Sequence, residues 1–219
     1  MKLLKNEQSG RSMVEILGVL AIIGVLSVGG IAGYSKAMNK FKINKTSDQI
    51  SMLIANIRTI YSTQGDYKGL NNQMAISYSI VPNDMIKTST SGSSTTQSLN
   101  NVFGGNVDIT TSNMYQATSN DTFVITYSGI SAEACVALAT ADWGNNLIAL
   151  GASGSANAAK SAASRVFLGR PQPGSSTVGN AQAVPGGTTV STPMPVTIAV
   201  NACNCGGTHC EVSWKLYYL

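Results

Sequence analysis

Residues 11 to 60 read RSMVEILGVLAIIGVLSVGGIAGYSKAMNKFKINKTSDQISMLIANIRTI, and the order of apolar and polar residues within them decides the fold. Residues 16 to 35 carry no charge and are mostly Ile, Leu, Val, Ala and Gly. At about 1.5 Å per helical residue, such a run spans roughly 30 Å of hydrocarbon. Beyond it come Ile43 and then Ile50, Leu53, Ile54, Ile57 and Ile60, whose spacings of 3, 1, 3 and 3 trace one helix face. No proline falls between Ser12 and Thr63, and Gly65 follows. The pattern predicts one helix from Ser12 to about Thr63, apolar all round in its first half and amphipathic in its second.

The residues on either side of the apolar run narrow its use. Residues 1 to 10 form a short polar head with Lys2 and Lys5, like the basic start of an exported chain. A cleaved signal peptide is one reading, since Gly30 and Ala32 offer small residues for cleavage before Gly33. Two features oppose it. Glu15 places a carboxylate at the edge of the apolar run, where it needs a partner or a helix N-terminus to be tolerated. The helical pattern also continues past the run for a further 25 or so residues, which a discarded signal would not need.

Gly10-Arg11-Ser12-Met13-Val14-Glu15-Ile16-Leu17 followed by an apolar run resembles the processing site of type IV pilin precursors. The resemblance implies that a prepilin peptidase cuts between Gly10 and Arg11, that the new amine of Arg11 is methylated, and that Glu15, fifth in the mature chain, neutralises the amine of a neighbouring subunit. Arg11 departs from the family, whose mature chains usually begin with an apolar residue. Gly29 and Gly33 form a small-xxx-small pair that lets helices approach closely. The implied domains are a leader at 1–10, a transmembrane and filament-core half-helix at 11–35, an amphipathic half-helix at 36–64, and a globular head at 65–219. The implied partners are further copies of the chain in a helical filament, the peptidase, the pilus assembly machinery, and the bacterial inner membrane before export to an extracellular pilus.

Past Thr63 the sequence reads as short strands between Ser/Thr/Asn/Gly loops. Strands are expected at 75–81, 122–127, 195–201 and 211–218, the last alternating Val212, Trp214, Leu216 and Tyr218 on one face. Ser131 caps a helix expected to run to about Trp143, with Cys135, Leu138 and Ala139 inward. The fold class is therefore α+β, a long N-terminal helix packed on an antiparallel β-sheet head. Five of the six prolines fall between Pro171 and Pro195 and mark a long loop.

Cys135, Cys203, Cys205 and Cys210 make an even set, as expected of disulfides in an oxidising compartment, and sequence alone leaves three connectivities open. A zinc site from Cys203, Cys205, His209 and Cys210 is the competing idea, but its spacing is not the usual C-x2-C. The order of strand, Gly129-Ile130-Ser131, Cys-bearing helix, loops, Cys and last strand is similar to the type IVb branch of pilins. That resemblance implies pairing of Cys135 with Cys203, leaving Cys205 for Cys210. A ten-residue leader is short for that branch, and the branch often has one disulfide.

Composition limits the other functions. Charged residues are 11% of the chain and aromatics 6%, a blend more usual in exported surface proteins than in cytosolic enzymes. The formal charge of +4 owes much to Lys36, Lys40, Lys42 and Lys45, so no broad nucleic-acid surface is implied. With one histidine and no phosphate loop, no catalytic constellation, cofactor site or metal site is expected. A structural filament subunit is the leading expectation; a type II secretion pseudopilin, a minor pilin and a membrane-tethered surface-binding module are the alternatives. A filament subunit's apolar helix leaves lipid only by entering a bundle of identical helices, so growth is expected to need an energised inner-membrane machine whose ATP site lies elsewhere. The lysine stretch is expected to meet lipid head groups, or an acidic patch of a neighbour in the fibre.

Overall fold

The computed structural model describes residues 13–92, 94–112, 120–144, 147–153, 193–205 and 209–217. Helix α1 covers Met13–Tyr61, 49 residues without a break. The chain divides into two compact units after Phe41. In the first, every side chain from Met13 to Ala37 is exposed, including Leu17, Leu20, Ile22, Leu26 and Ile31.

In the second unit the helix is amphipathic and buries Thr46, Gln49, Ile50, Leu53, Ile57 and Tyr61. Ile50, Leu53 and Ile57 hold the expected face, whereas Ile54 is half-buried and Ile60 is 37% exposed. Tyr61 takes the last inward position because its ring meets Tyr67, 5.4 Å away, and Tyr67 in turn meets Phe123 edge-on at 4.8 Å. These apolar side chains join those of the sheet in one buried cluster. At about 25 cal/mol per Å² of apolar surface, that burial is what holds the helix's second half to the head.

A four-stranded antiparallel sheet forms the head's core, with strands β3 (Val107–Ser112), β4 (Thr122–Ile130), β5 (Leu147–Ser153) and β6 (Cys210–Tyr217) in the order β3-β4-β6-β5. The predicted strands at 122–127 and 211–218 are β4 and β6, the two centre strands, where apolar alternation is strongest. Residue 218 lies outside the described residues. Trp214 pairs with Ile125 on one side and Leu150 on the other, and its ring meets Tyr127 and Trp143 edge-on at 5.7 and 5.3 Å. β1 (Ile86–Ser91) and β2 (Ser94–Leu99) make a separate two-stranded hairpin, exposed but for its feet at Ile86 and Leu99.

Two predicted strands are short helices. Residues 72–77 form α2 (Asn72–Ser77) because the Asn71 side chain accepts the backbone N–H of Met74 at 2.9 Å, an N-cap that diverts the chain from extension. Ser79 then takes φ 54°, turning Ile80 and Val81 into the core. Residues 196–202 form α4 (Val196–Ala202), which starts from the fixed φ of Pro195 and ends at the bonded Cys203. Its end is tied through the Cys135–Cys203 bond to the helix that carries Cys135, so tertiary context overrides the β-branched propensity of Val196, Thr197, Ile198 and Val200.

Helix α3 (Ala132–Thr140) begins as expected at Ser131, whose Oγ accepts the Ala134 N–H at 3.2 Å. It stops short of Trp143, because the indole N–H of Trp143 folds back to donate to the Leu138 carbonyl at 2.8 Å and Gly144 follows at φ +79°. Cys135, Leu138 and Ala139 are its buried face. The predicted loop at 171–195 lies outside the described residues apart from its last positions, 193–195.

Candidate functional site

The sequence singles out two places: the exposed N-terminal half of α1 and the cysteine-linked end of the head. Gly10 and Arg11 lie outside the described residues. Glu15 stands in the first turn of α1, where the helix dipole favours an anion. Gly29 and Gly33 lie on the exposed run, and a Cβ built on either, or on Gly18, Gly24 or Gly30, would touch nothing within 4 Å. Among the described residues nothing therefore requires these positions to be glycine, although each lowers helix propensity by about 1 kcal/mol relative to Ala. By length and composition the helix is apolar enough to cross a membrane, and none of its most apolar window is buried.

The lysine stretch divides in two. Lys45 Nζ lies 2.6 Å from Asp84 Oδ2, which also accepts from Gln49 Nε2 at 3.2 Å. The bond from Lys45 holds the Asp84 carboxyl below its ordinary range. Lys42 Nζ sits 5.7 Å from the ring centre of Phe103, within cation–π reach. Lys36 and Lys40 are exposed and have no acidic partner among the described residues. The sequence reading treated all four lysines alike; the signal that separates them is helical phase, since Lys42 and Lys45 adjoin the buried positions Thr46 and Gln49.

At the other end, Cys135 on α3 is bonded to Cys203 at the end of α4, and Cys205 to Cys210 at the start of β6. Cys135, Cys203 and Cys210 are at most 1% exposed and Cys205 6%. All four sulfurs are thus committed to one another, and His209 beside them is exposed. The pairs tie α3, α4 and β6 together across a chain separation of 68 residues and close a short local loop.

One local structure went unread. The side chain of Asn101 accepts from the N–H groups of Phe103 and Gly105 and donates to the Ser128 carbonyl at 2.7 Å. A Cβ on Gly105 would collide with that same carbonyl, and one on Gly129 would come 2.7 Å from the Gly105 Cα. The pairing of Asn101 with Gly104-Gly105 is a turn signature that could have flagged it.

Comparison with known proteins adds to this geometry. A family model described as PilS N terminal matches residues 33–167, more than half of the chain. Two relatives, each 26% identical over 142 residues that cover 65% of this chain and 69% of the relative, carry the name major structural subunit of bundle-forming pilus. One is from Escherichia coli O127:H6 (strain E2348/69 / EPEC) and the other from Escherichia coli O111:H-.

Proposed function

Because the chain belongs to the PilS N-terminal family of type IV pilins, we propose that it is a structural subunit of a type IVb pilus, made as a membrane-held precursor and assembled through the first half of α1. The observation that carries this reading is one helix with two fates. Its second half joins the core of the head, while the uncharged residues 16–35 are exposed on all sides. A soluble chain could not tolerate so large a patch; lipid before assembly and identical helices after it are the two environments that bury it.

The division into leader 1–10, filament-core half 11–35, amphipathic half 36–64 and head 65–219 belongs to this proposal. Prepilin peptidase cuts between Gly10 and Arg11, the Arg11 amine is methylated, and Glu15 meets the cationic chain start of a neighbouring copy. The family match begins at residue 33, so these assignments rest on the motif at 10–17 and on the position of Glu15 in the first turn. Gly29 and Gly33 let neighbouring helices approach, which accounts for glycines that meet nothing among the described residues of the chain. The disulfides hold the head together in the oxidising space outside the cytoplasm. No chemistry is required of the subunit, and assembly energy comes from the machinery. Adhesion, aggregation, motility and DNA transfer are the roles such a filament serves.

Replacing Glu15 by Leu tests the assembly step. Sheared surface fibres are expected to fall at least tenfold while the precursor remains in membranes at normal level; normal fibre yield and length would remove the role given to Glu15. Fibre abundance in the unaltered strain also decides between a principal filament subunit and a minor pilin or secretion pseudopilin.

A further inference from the structure

The four lysines that follow the apolar run do not act together. Lys42 and Lys45 are held by the head, one over Phe103 and the other on Asp84. Lys36 and Lys40 stand exposed on α1, four residues apart and hence one above the other on the same side. Tyr34 and Phe41, 66% and 57% exposed, are seven residues apart and lie together on the opposite side. The helix thus carries a collar of two aromatic rings and two ammonium groups within eight residues, at the end of the twenty uncharged residues of the run.

From this placement we propose that Tyr34, Lys36, Lys40 and Phe41 form a lipid-binding collar that fixes the depth of the subunit in an anionic membrane, with the two lysines bound to phospholipid phosphates. The inference rests on the membrane-held reading above and adds the site and its ligand chemistry. Three physical facts support it. Residues 16 to 35 match the hydrocarbon thickness of about 30 Å, so Glu15 falls at one interface and Lys36 at the other. Aromatic rings concentrate at that level because each has an apolar body and a polarisable face or hydroxyl. A lysine near an anionic surface strengthens association about fivefold. The transfer from lipid to protein takes place between Lys40 and Lys42: below it the charges are left for phosphate, and above it the head satisfies them. Extraction into a filament must break the lysine–phosphate contacts, so the collar also acts as a stop against premature withdrawal.

Amine footprinting read by mass spectrometry tests this on the full chain in vesicles, with no substitution needed. Reactivity is compared in pure phosphatidylcholine and in phosphatidylcholine containing one part in three of phosphatidylglycerol, with resistance to carbonate extraction as the measure of insertion. Lys36 and Lys40 are expected to react at least threefold more slowly in the anionic vesicles and to recover in high salt. Lys68 and Lys87, exposed on the head, should react equally in both. An inserted chain whose Lys36 and Lys40 react alike in the two lipids overturns the collar and leaves the membrane-held reading standing. Protection found only in sheared fibres would transfer the lysines to an acidic neighbour and overturn it too. A chain that carbonate extracts from both vesicles fails the membrane-held reading itself, and the collar with it.

Discussion

Lys45 Nζ and Asp84 Oδ2 stand 2.6 Å apart, joining α1 to the short turn Asn83–Met85 that leads into β1. Both side chains are about two-fifths exposed, so water screens the pair and its contribution is below about 1 kcal/mol. Asp84 titrates below its ordinary 3.8 in the folded head. A carboxyl whose folded pKa is depressed adds stability above its unfolded value and loses it as pH falls through the folded one. Asp84→Asn should therefore lower stability slightly at pH 7, and the gap from the parent should close below about pH 3.8. Denaturant unfolding at pH 7 and pH 3 checks both the sign and the window.

The Cys135–Cys203 bond spans 68 residues and the Cys205–Cys210 bond 5. In the chain-entropy model these loops give about 4 and about 2 kcal/mol. The Cys135→Ser/Cys203→Ser head should lose roughly twice as much stability as the Cys205→Ser/Cys210→Ser head. Unfolding of the two, followed through the fluorescence of Trp143 and Trp214, compares them directly.

Gly105 and Gly129 face each other backbone to backbone, and no side chain fits between them. Gly129 also holds φ +73°. Gly105→Ala should cost about 1–3 kcal/mol, because the obstacle is a carbonyl and not a flexible side chain. Gly69→Ala, at φ +83° but in open space, should cost only about 1 kcal/mol and serves as the control. Thermal or denaturant midpoints separate the two.

The Tyr127 ring is fully buried, and among the described residues its hydroxyl donates to Met85 Sδ, a weak acceptor, at 3.9 Å. Burial, reinforced by the charge of Asp84, raises its pKa well above 10. The folded head therefore keeps this phenol protonated after an unfolded chain would have lost the proton. Its contribution is full below about pH 10 and declines as pH rises further. Tyr127→Phe should change stability by less than about 1 kcal/mol at pH 7, and should remove part of the alkaline loss. Ultraviolet phenolate titration during alkaline unfolding follows the effect.

Much of this architecture was legible in the sequence because one physical signal dominated each legible part. The apolar run and the Ile50-Leu53-Ile57 face mark α1, Ser131 marks the start of α3, and alternating β4 and β6 are the centre strands with most to bury. Elsewhere local signals were weak or misleading. Thr88 to Ser91 and Ser94 to Ser98 bury nothing, so the β1–β2 hairpin has no apolar alternation to read. Residues 75–81 and 195–201 alternate like strands, but Asn71 caps the first into a helix and the second forms a helix that ends at the disulfide-bonded Cys203. In the candidate site, Glu15 and the glycines were readable as a motif. The division of the lysines was not, because it depends on Asp84 and Phe103, far away in the chain.

The central claim, that the exposed half of α1 stays on the subunit and becomes the core of the fibre, is tested most directly by mass spectrometry of the chain recovered from sheared fibres. The expected subunit begins at Arg11, carries a methyl group on that amine and retains residues 13–35. A subunit that begins at Gly33, its apolar run removed as a signal peptide, would contradict it.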